Sequence, residues 1–441
     1  MRFAQQQTHA QADSAAHASA DVLIPADEKL LRQLTIAILF GAVLYQMMLC
    51  FVHTHVLSIR TAYVGAAEFM LYLGCLVVMA RRLRIEFVAI VALVAAYLFF
   101  LALLRGSLDA KGFRDVLIVI LFYWLGRTMG TVALADRLLK IMVVVVLAIG
   151  LFELLFVDLY SRVFNVFSYY VSQGGLANST NWAKDSTLAL NGIRPDGIGR
   201  TILPWLLGNH RVSSIFLEPV SLGNFAVIVA AWGLAKEKSE WRDMLLFVGA
   251  AILMITLCDS RYGLLTLSVL IAMRVLFIGR MYLMTLFMPL ICVALLIAIA
   301  LIFSHYQGDN MLGRLRITGA VLMNFDIAEL FGMKGYDIGY GDMGYAVLVT
   351  RFGLPFLLVA WVAFWMIRMR DDVGMRFRGF AAVYMSLILS ISGTSMMALK
   401  TAGVLWFLIG CLAVRDAVAL RMQEPRSKSS SDANRSMHYA N

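Results

Sequence analysis

Long apolar blocks recur along the whole chain, and they constrain its fold more than any other feature. The segments 141–157 and 281–303 contain a single charged residue between them, Glu153. A bilayer-spanning helix needs about 20 apolar residues, because every backbone N–H and C=O group must be hydrogen-bonded within the segment. With 61% hydrophobic and 15% charged residues, the chain also lies outside the range of soluble globular proteins. The sequence therefore predicts a polytopic membrane protein.

Twelve apolar blocks of this kind predict an all-α polytopic fold with about twelve transmembrane helices. The polar segments at either end, 1–32 and 419–441, are predicted to be disordered, which leaves a single transmembrane domain over 33–418. The predicted spans are 34–52, 62–80, 87–104, 115–132, 140–157, 214–235, 244–258, 262–278, 281–303, 341–367, 380–396 and 400–416.

Basic residues lie mostly in alternate connections between the predicted spans. Arg81, Lys236 and Arg376 represent three of these basic connections, whereas the connections between them carry few positive charges. The positive-inside rule then predicts that both termini are cytoplasmic. The net charge of +10 arises from single and paired residues, without the long basic runs of a nucleic-acid-binding segment. We therefore expect no nucleic-acid partner.

Two predicted connections on the opposite side, 158–212 and 304–340, are longer than turns and are expected to contain short helices. The first opens with aromatic residues spaced four, three and three apart, which predicts one amphipathic helix lying on the membrane surface. These aromatic residues are Tyr160, Phe164, Phe167 and Tyr170. Long ordered loops on a membrane scaffold usually carry function, so the site is expected on this side.

Charged residues also lie at the mouths of the predicted spans on the side of the two long loops. Inserting such a residue at the centre of a bilayer costs about 2.5–3.5 kcal/mol, so it tends to be paired or functional. Arg predominates, and its planar guanidinium binds phosphate through two parallel hydrogen bonds, which favours an anionic phosphate ligand. Interface anchoring or helix pairing is the alternative for any one of them. The residues are Arg211, Glu218, Asp259, Arg261, Asp342 and Arg351.

Cysteine and histidine give no indication of a metal site. The five cysteines are widely spaced in or beside apolar blocks, and none forms a CxxC pair. His53 and His55 have the spacing of a ligand pair but lack a third ligand nearby. We expect neither a metal nor another cofactor.

Three segments resemble the bacterial polysaccharide polymerase and O-antigen ligase superfamily. Arg211 to Asn224 is similar to the motif that opens a helix in that family, in which an Arg precedes small and apolar residues, a Pro and a Gly-Asn pair. Leu257 to Gly263 resembles the later Ser-Arg motif, and the stretch from Gly313 to Leu354 resembles the second periplasmic loop with the helix after it. The order of these segments extends the resemblance over about residues 60–415.

One position separates the two branches of this superfamily. O-antigen ligases carry a His at the start of the helix after the second loop, whereas this chain has Asp342 there. The departure favours a repeat-unit polymerase, with a ligase-type transferase as the alternative. It also leaves open which group acts as the catalytic base.

The resemblance implies a metal-independent, membrane-integral glycosyltransferase at the periplasmic face of the bacterial inner membrane. It would transfer a growing glycan from undecaprenyl diphosphate to the sugar of another lipid-linked repeat unit. Its partners would be that lipid-linked oligosaccharide, the bilayer, a chain-length regulator and a flippase. Because diphosphate is already a good leaving group, the reaction needs preorganised cations more than a strong general acid.

The candidate residues follow from this chemistry. Arg211 and Arg261 are expected to bind the leaving diphosphate. Glu218 is the first candidate for the base, because seven residues after Arg211 would place both side chains on one helical face; Asp342 is the second. Further diphosphate contacts are expected from Arg314, Arg316 and Arg351, and sugar contacts from Trp205 and Tyr345.

A transporter is the alternative from another functional class, in the form of a flippase for lipid-linked sugars or a proton-coupled carrier. A carrier typically has internal repeats, broken helices in matching halves and acidic residues near the midplane. This chain has no detectable repeat, and its charged residues and long loops are expected at one membrane face. The pattern favours the enzyme.

Overall fold

Helices form almost all of the structure. The computed structural model describes residues 26–174, 200–276, 282–308, 311–335, 338–341, 343–392 and 396–414. Over these ranges all regular secondary structure is helical, apart from one isolated antiparallel bridge between Met369 and Ala413. The predicted all-α fold is therefore confirmed. Asp342 and most of the two polar termini lie outside the described residues.

The helices are numbered α1 to α19 in chain order. Helices α1 to α8 are Ala26–His55, Thr61–Met79, Ile85–Arg105, Ala110–Met129, Val132–Leu155, Val157–Val163, Val166–Ser172 and Pro204–Leu207. Helices α9 to α13 are Pro219–Ala235, Trp241–Cys258, Arg261–Leu276, Tyr282–Leu286 and Met288–Ile302. Helices α14 to α19 are Met311–Met323, Ile327–Leu330, Gly344–Phe352, Leu354–Met366, Asp372–Ile388 and Leu399–Leu412. Short 3₁₀ helices lie at Ala80–Arg82, Ser214–Phe216, Lys238–Glu240 and Ile338–Tyr340.

Several helices are long and apolar enough to cross a bilayer. Five candidate spans coincide with α1, α2, α3, α5 and α10, and the bent pair α16–α17 makes a sixth if it is taken as one span. Three shorter apolar helices, α9, α13 and α19, have between 10 and 17 residues. These lengths and compositions, among the described residues, indicate a multi-pass membrane protein.

Three predicted elements differ from the structure. Helix α1 already begins at Ala26, so the last part of the segment predicted to be disordered is helical. The predicted span 341–367 is instead two helices, α16 and α17, bent by 107°. Gly353 lies at the bend with a φ of 76°, and Pro355 follows it, so the helical hydrogen-bond pattern cannot continue through this point.

The aromatic segment of the first long loop is the third difference. It forms two short helices, α6 and α7, rather than one, because the helix ends at Phe164 and Asn165 caps the next through Ser168 N. Tyr160 is fully buried and its hydroxyl donates to the backbone oxygen of Ser214 at 2.8 Å. The ring therefore packs in the protein interior rather than on a membrane surface.

Helix α9 occupies the centre of the bundle. All of its residues except Val220 are buried, and its neighbours are α10, α11, α18 and α19. A helix that is apolar on every side can only be stable when other helices surround it. The first turn of α9 therefore lies in the middle of one end of the bundle, which makes the residue before it, Glu218, central as well.

Helices α4 and α19 pack with their backbones in contact. A Cβ atom at Gly126 would lie 2.2 Å from the carbonyl oxygen of Phe407, and one at Gly410 would lie 2.2 Å from that of Tyr123. Gly126 and Gly130 form the small-xxx-small spacing that permits such close approach between membrane helices. This contact fixes the start of α19, which carries Lys400, against the helix that carries Arg114.

Polar side chains meet at one end of the bundle. Tyr45 on α1 donates a hydrogen bond to Glu68 on α2, and Arg114 on α4 pairs with the same carboxylate. Lys400 on α19 pairs with Glu218 before α9. The last third of α1 and the starts of α2, α4, α9 and α19 therefore share this end, which also contains Glu218.

Candidate functional site

Glu218 occupies the N-cap position of α9. Pro219 takes the first helical position, where its fixed φ is suitable and its missing N–H costs nothing. The Glu218 side chain does not cap the helix; its Oε2 accepts hydrogen bonds from Ser221 Oγ at 2.8 Å and from Lys400 Nζ at 2.9 Å. The side chain remains 37% exposed. A carboxylate in this position also benefits from the positive end of the helix dipole.

Lys400 holds this carboxylate from the start of α19. Its side chain is only 3% exposed. The ammonium donates to three oxygens: Glu218 Oε2, Gln46 Oε1 at 2.8 Å and the backbone oxygen of Phe216 at 2.9 Å. An ammonium has three donors, so this buried cation is completely satisfied. Lys400 therefore fixes both the orientation and the negative charge of Glu218.

The segment before Glu218 is a short, strained 3₁₀ turn rather than an α-helix. Ser214 and Leu217 have positive φ values of 53° and 59°, which for residues with a side chain costs about 1–2 kcal/mol each. Glu218 itself is extended, with φ −140°. The prediction that Arg211 and Glu218 share one helical face is therefore wrong. Strain of this kind persists only where other contacts impose it, and it is concentrated at functional sites.

Glu153 supplies those contacts from the end of α5. Its carboxylate is fully buried and accepts hydrogen bonds from the backbone N–H groups of Ser213 and Ser214. Ser213 Oγ and His210 Nε2 also lie 3.0 Å from Oε1. One carboxylate thus holds the turn that leads into Glu218, which explains a buried acid in the apolar second half of α5.

Arg211 contacts the short connection between α10 and α11, and Arg261 is the first residue of α11 directly after it. Arg211 Nε donates to the backbone oxygen of Cys258 at 3.1 Å, and Arg261 Nε donates to Thr201 Oγ1 at 2.5 Å. Asp259, with a positive φ of 50°, accepts from the backbone N–H of Thr201 at 3.0 Å. The Arg211 guanidinium is thereby anchored to the end of α10, and the Arg261 guanidinium to Thr201 in the first long loop.

The two segments that carry the first two parts of the resemblance are in direct contact. The Val212 N–H donates to the backbone oxygen of Leu257 at 3.1 Å. A Cβ atom at Gly223 would lie 2.5 Å from Ser260 Oγ, so only glycine allows this approach. Segments 211–224 and 257–263, which are distant in sequence, therefore form one packed surface that carries Arg211, Arg261 and, before α9, Glu218.

Arg200 is part of the same surface, although the sequence did not single it out. Its side chain is buried, and it donates to the backbone oxygens of Ile202, His210, Thr256 and Leu257. These acceptors lie on both sides of the site. Arg200 therefore ties the end of the first long loop to the end of α10.

A continuous chain of polar contacts leads away from Lys400 through α1, α2 and α4. Gln46 Nε2 donates to the Tyr45 hydroxyl at 3.3 Å, and this hydroxyl donates to Glu68 Oε1 at 2.8 Å. Glu68 Oε2 pairs with Arg114 Nη1 at 3.1 Å. Buried ionisable groups in this chain are thus paired or hydrogen-bonded, as burial requires.

The chain continues to α16. Arg114 Nη2 pairs with Asp115 Oδ1 at 2.7 Å, and Asp115 Oδ2 pairs with Arg351 Nη1 at 3.2 Å. Arg351 then forms a bidentate pair with Asp109 at 2.5 and 2.8 Å. Burial raises the pKa of Asp109, but hydrogen bonds from Arg351 and from Gly112 N outweigh it and hold the pKa below its usual value. We call the whole set the ionic chain; it comprises Glu218, Lys400, Gln46, Tyr45, Glu68, Arg114, Asp115, Arg351 and Asp109.

The remaining predicted residues lie elsewhere. Arg351 is buried and its guanidinium is bound by two carboxylates, so it is not presented at the Arg211–Arg261 surface. Tyr345 is also buried, with its hydroxyl donating to the backbone oxygen of Ser386 at 2.8 Å, so its ring is not offered to a sugar. Trp205 on α8 is 80% exposed. Arg314 and Arg316 both lie on α14, in the second long loop.

Two cavities lie away from Arg211, Arg261 and Glu218, none of which lines either of them. One of about 430 Å³ lies at the turn between α3 and α4 and includes Arg105, Asp109 and Arg351. The other, of about 280 Å³, is lined by Arg316 and by residues of α14, α15 and the following 3₁₀ helix.

Comparison of the chain with protein-family models, with curated proteins and with solved structures found no match. Within the described residues no group of three His, Cys, Asp or Glu side chains is placed to hold a metal ion. The chemistry of the site therefore has to be argued from its own residues: two anchored guanidinium groups, a partly exposed carboxylate and a buried ammonium that holds it.

Proposed function

We propose that this protein is a polymerase of lipid-linked polysaccharide repeat units. It transfers a growing glycan from undecaprenyl diphosphate to the sugar of another lipid-linked repeat unit at the periplasmic face of a bacterial inner membrane. One observation carries the proposal: the two distant segments that resemble the polymerase and ligase superfamily pack together, with Arg211 hydrogen-bonded to Cys258 shortly before Arg261, and with the partly exposed Glu218 in the first segment.

The proposed reaction is a single displacement at the anomeric carbon of the donor sugar. The acceptor hydroxyl oxygen forms the new bond to this carbon, and the bond from the carbon to the diphosphate oxygen breaks with both electrons remaining on the diphosphate. Arg211 and Arg261 bind the negative charge that develops on this leaving group. Glu218 takes the hydroxyl proton and later returns it to water.

Lys400 gives Glu218 its geometry at some cost in basicity, because a neighbouring ammonium stabilises the carboxylate anion. A late proton transfer suits this arrangement. The hydroxyl becomes strongly acidic only as its oxygen bonds to the anomeric carbon, so a carboxylate of modest basicity in the correct position is sufficient. Lys400 is accordingly a positioning residue, and Glu218 is the catalytic residue.

The proposal includes a topology of about twelve membrane crossings with both termini in the cytoplasm. The shorter helices α9, α11, α18 and α19 would then cross within the bundle, where other helices rather than lipid surround their ends. Both long loops would be periplasmic, on the same side as Arg211, Arg261 and Glu218. A flippase would deliver the substrate to this side, and a chain-length regulator would act beside it.

A strain lacking the gene provides the test. The mutant should lose polymer and accumulate lipid-linked single repeat units on the periplasmic side. Wild-type protein should restore polymer, and Arg211→Ala or Arg261→Ala should not. Arg→Lys at either position should restore little, because an ammonium cannot reproduce two parallel hydrogen bonds. Arg162→Ala removes the same charge from an exposed position in the first long loop and serves as the matched control. Normal polymer with Arg211→Ala would remove this residue from the mechanism.

A carrier of lipid-linked glycans is the second candidate, and the α16–α17 bend favours it. Broken helices line the substrate sites of many transporters, and the bend here is 107°. The deletion strain separates the two functions. Loss of a carrier would leave the repeat units on the cytoplasmic side, protected from a glycosidase added outside, whereas loss of a polymerase would leave them accessible.

A further inference from the structure

The cavity at the turn between α3 and α4 combines a cationic end with an apolar wall. Arg105, Asp109 and Arg351 line it where α3 ends, and Phe113 of α4 closes one side. The apolar wall extends back along α3 to Ala95, about 15 Å from Arg105 at 1.5 Å per residue. This is the shape required for a lipid whose charged head lies at the surface and whose chain extends into the bilayer.

Helix α3 is also the candidate span most open to lipid. Only 11% of its most apolar window is buried inside the protein, compared with 33–39% in the other long spans. Ala95, Ala96 and Ala102 line the cavity, and their small side chains leave space along the helix surface. A lipid chain can therefore enter this groove sideways from the bilayer.

The charged end has an excess of positive charge. Asp109 is bound in a bidentate pair by Arg351, which neutralises it. Arg105 donates to the backbone oxygens of Gly332, Thr350 and Arg351, and no carboxylate of the described residues lies within ion-pair distance of it. The Arg105 charge is thus fixed in position by neutral carbonyls and stays available to an anion.

We propose that this cavity binds the phosphate end and the first isoprenoid units of the acceptor lipid. The inference rests on the proposed polymerase function and adds a second lipid site to it. The donor phosphate leaves during the reaction, so it must lie beside the reacting carbon. The acceptor phosphate is separated from the reacting hydroxyl by the sugars of its own repeat unit, so it must lie some distance away.

The position of the cavity fits this requirement. It lies at the same end of the bundle as Glu218, because the ionic chain connects the two through α19, α1, α2, α4 and α16. Arg351 and Asp109 belong both to the ionic chain and to the cavity. The two lipid sites would thus face the same membrane surface at different points of the bundle circumference, with the repeat unit spanning the distance between them.

Binding stoichiometry tests the proposal. The probe is farnesyl diphosphate, a soluble isoprenoid diphosphate, titrated calorimetrically into the purified full chain in detergent. Wild-type protein should bind two equivalents, and Arg105→Gln or Ala96→Leu should each bind one. Arg211→Ala should also bind one, and Arg211→Ala combined with Ala96→Leu should bind none.

Matched controls lie close by. Ala92→Leu adds the same bulk one turn earlier on α3 without lining the cavity, and Arg60→Gln removes an exposed charge from the start of α2. Both should bind two equivalents. Because Arg105 also holds three carbonyls, Arg105→Gln can destabilise the fold; Ala96→Leu fills the groove without touching those bonds and keeps the test valid.

Several results would overturn the inference. Two equivalents bound by Ala96→Leu, one equivalent bound by wild type, or no binding at all would each do so, whatever the deletion strain shows about polymer. A further titration of the wild-type protein is carried out after phosphatidylglycerol has been added. If this lipid displaces farnesyl diphosphate from the second site at equal concentration, the groove belongs to bilayer lipid and the acceptor assignment is wrong.

Discussion

Lys400 brings a positive charge into the centre of the bundle, where an unpaired ion would cost several kcal/mol. Its contacts with Glu218, Gln46 and Phe216 O remove that cost only as long as all three acceptors remain in place. At the scale of single residues, the site therefore consists of the buried Lys400, which must be paired, and the partly exposed Glu218, which Lys400 holds in place. Substitutions can separate the positioning role of Lys400 from the catalytic role of Glu218.

Glu218→Gln should keep the fold and lower the rate of polymerisation by about 10²–10⁴-fold, the usual range for loss of a general base. The amide can still accept a hydrogen bond from Lys400, but it cannot take a proton. Asp342→Asn should cost less. The measurement is the initial rate of the purified protein on lipid-linked repeat units, with Ser221→Ala as the control that removes one hydrogen bond to Glu218. A nearly normal rate for Glu218→Gln together with an inactive Asp342→Asn would reverse the assignment.

Lys400→Met should lower the thermal unfolding temperature as well as the polymerisation rate. It leaves Gln46 Oε1, the backbone oxygen of Phe216 and the Glu218 carboxylate without their hydrogen-bond donor. The same substitution in a Glu218→Gln background should cost less stability, since no anionic charge is then left unpaired. A double-mutant cycle measures this difference. Additive losses of stability would show that the Lys400–Glu218 contact does not couple the two residues.

The sequence contained a signal for Glu218 and for Lys400, although only Glu218 was singled out, and it contained no signal that the two residues pair. Lys400 stands in the apolar segment 399–412, and a charged residue in such a segment is by itself a sign of pairing or function. Its carboxylate partner, however, lies 182 positions away. No spacing rule connects residues at this distance, because the pairing is decided by how α9 and α19 pack. Arg114 and Asp115 were missed for the same reason.

At the scale of helices, the contact between α9 and the connection Cys258–Arg261 positions the two arginines relative to Glu218. Helix and connection approach so closely that Gly223 has no space for a Cβ atom beside Ser260. Periodicity predicted where these helices lie. It could not predict their distance, since this depends on which small residues face each other.

Gly223→Ala should therefore separate α9 from this connection, with a loss of about 1–3 kcal/mol in stability, typical of overpacking, and a larger proportional loss of activity. Ser260→Gly in the same chain should restore both, because it removes the atoms that the new methyl group meets. Gly249→Ala on α10 is the matched control, as nothing lies within 4 Å of the added Cβ. Unfolding temperature and polymerisation rate are the measurements. If Gly223→Ala behaves like Gly249→Ala, this contact does not position the site.

Local turn geometry was the least predictable feature at this scale. The spacing of Arg211 and Glu218 fits a helix, yet Glu153 holds the intervening segment as a strained turn from another helix. The 107° bend between α16 and α17 was missed although Gly353 and Pro355 are visible in the sequence. Pro is common within membrane helices, so its presence does not distinguish a kink from a break.

At the scale of the whole molecule, the location of Glu218 at one end of α9 makes orientation decisive. Reporter fusions at residues 185, 240, 325 and 373 should read outside, inside, outside and inside, as the distribution of basic residues predicts. The measurement is paired reporters that are active on opposite sides of the membrane. An inside reading at 185 or 325 would place Arg211, Arg261 and Glu218 in the compartment that lacks the proposed acceptor, and would exclude the polymerase.

Because Lys400 lies in the last described helix, it is synthesised after all the residues that it contacts. A ribosome makes α1, α2, α4 and α9 first, so Glu218 is already in the membrane while its ammonium partner is still inside the ribosomal tunnel. The site cannot be completed until α19 docks on α4 through Gly126 and Gly410. A chain that ends before this point carries Glu218 without the ammonium group that holds its carboxylate. A chain truncated before α19 should therefore lack activity, and adding α19 as a separate peptide should restore its polymerisation rate.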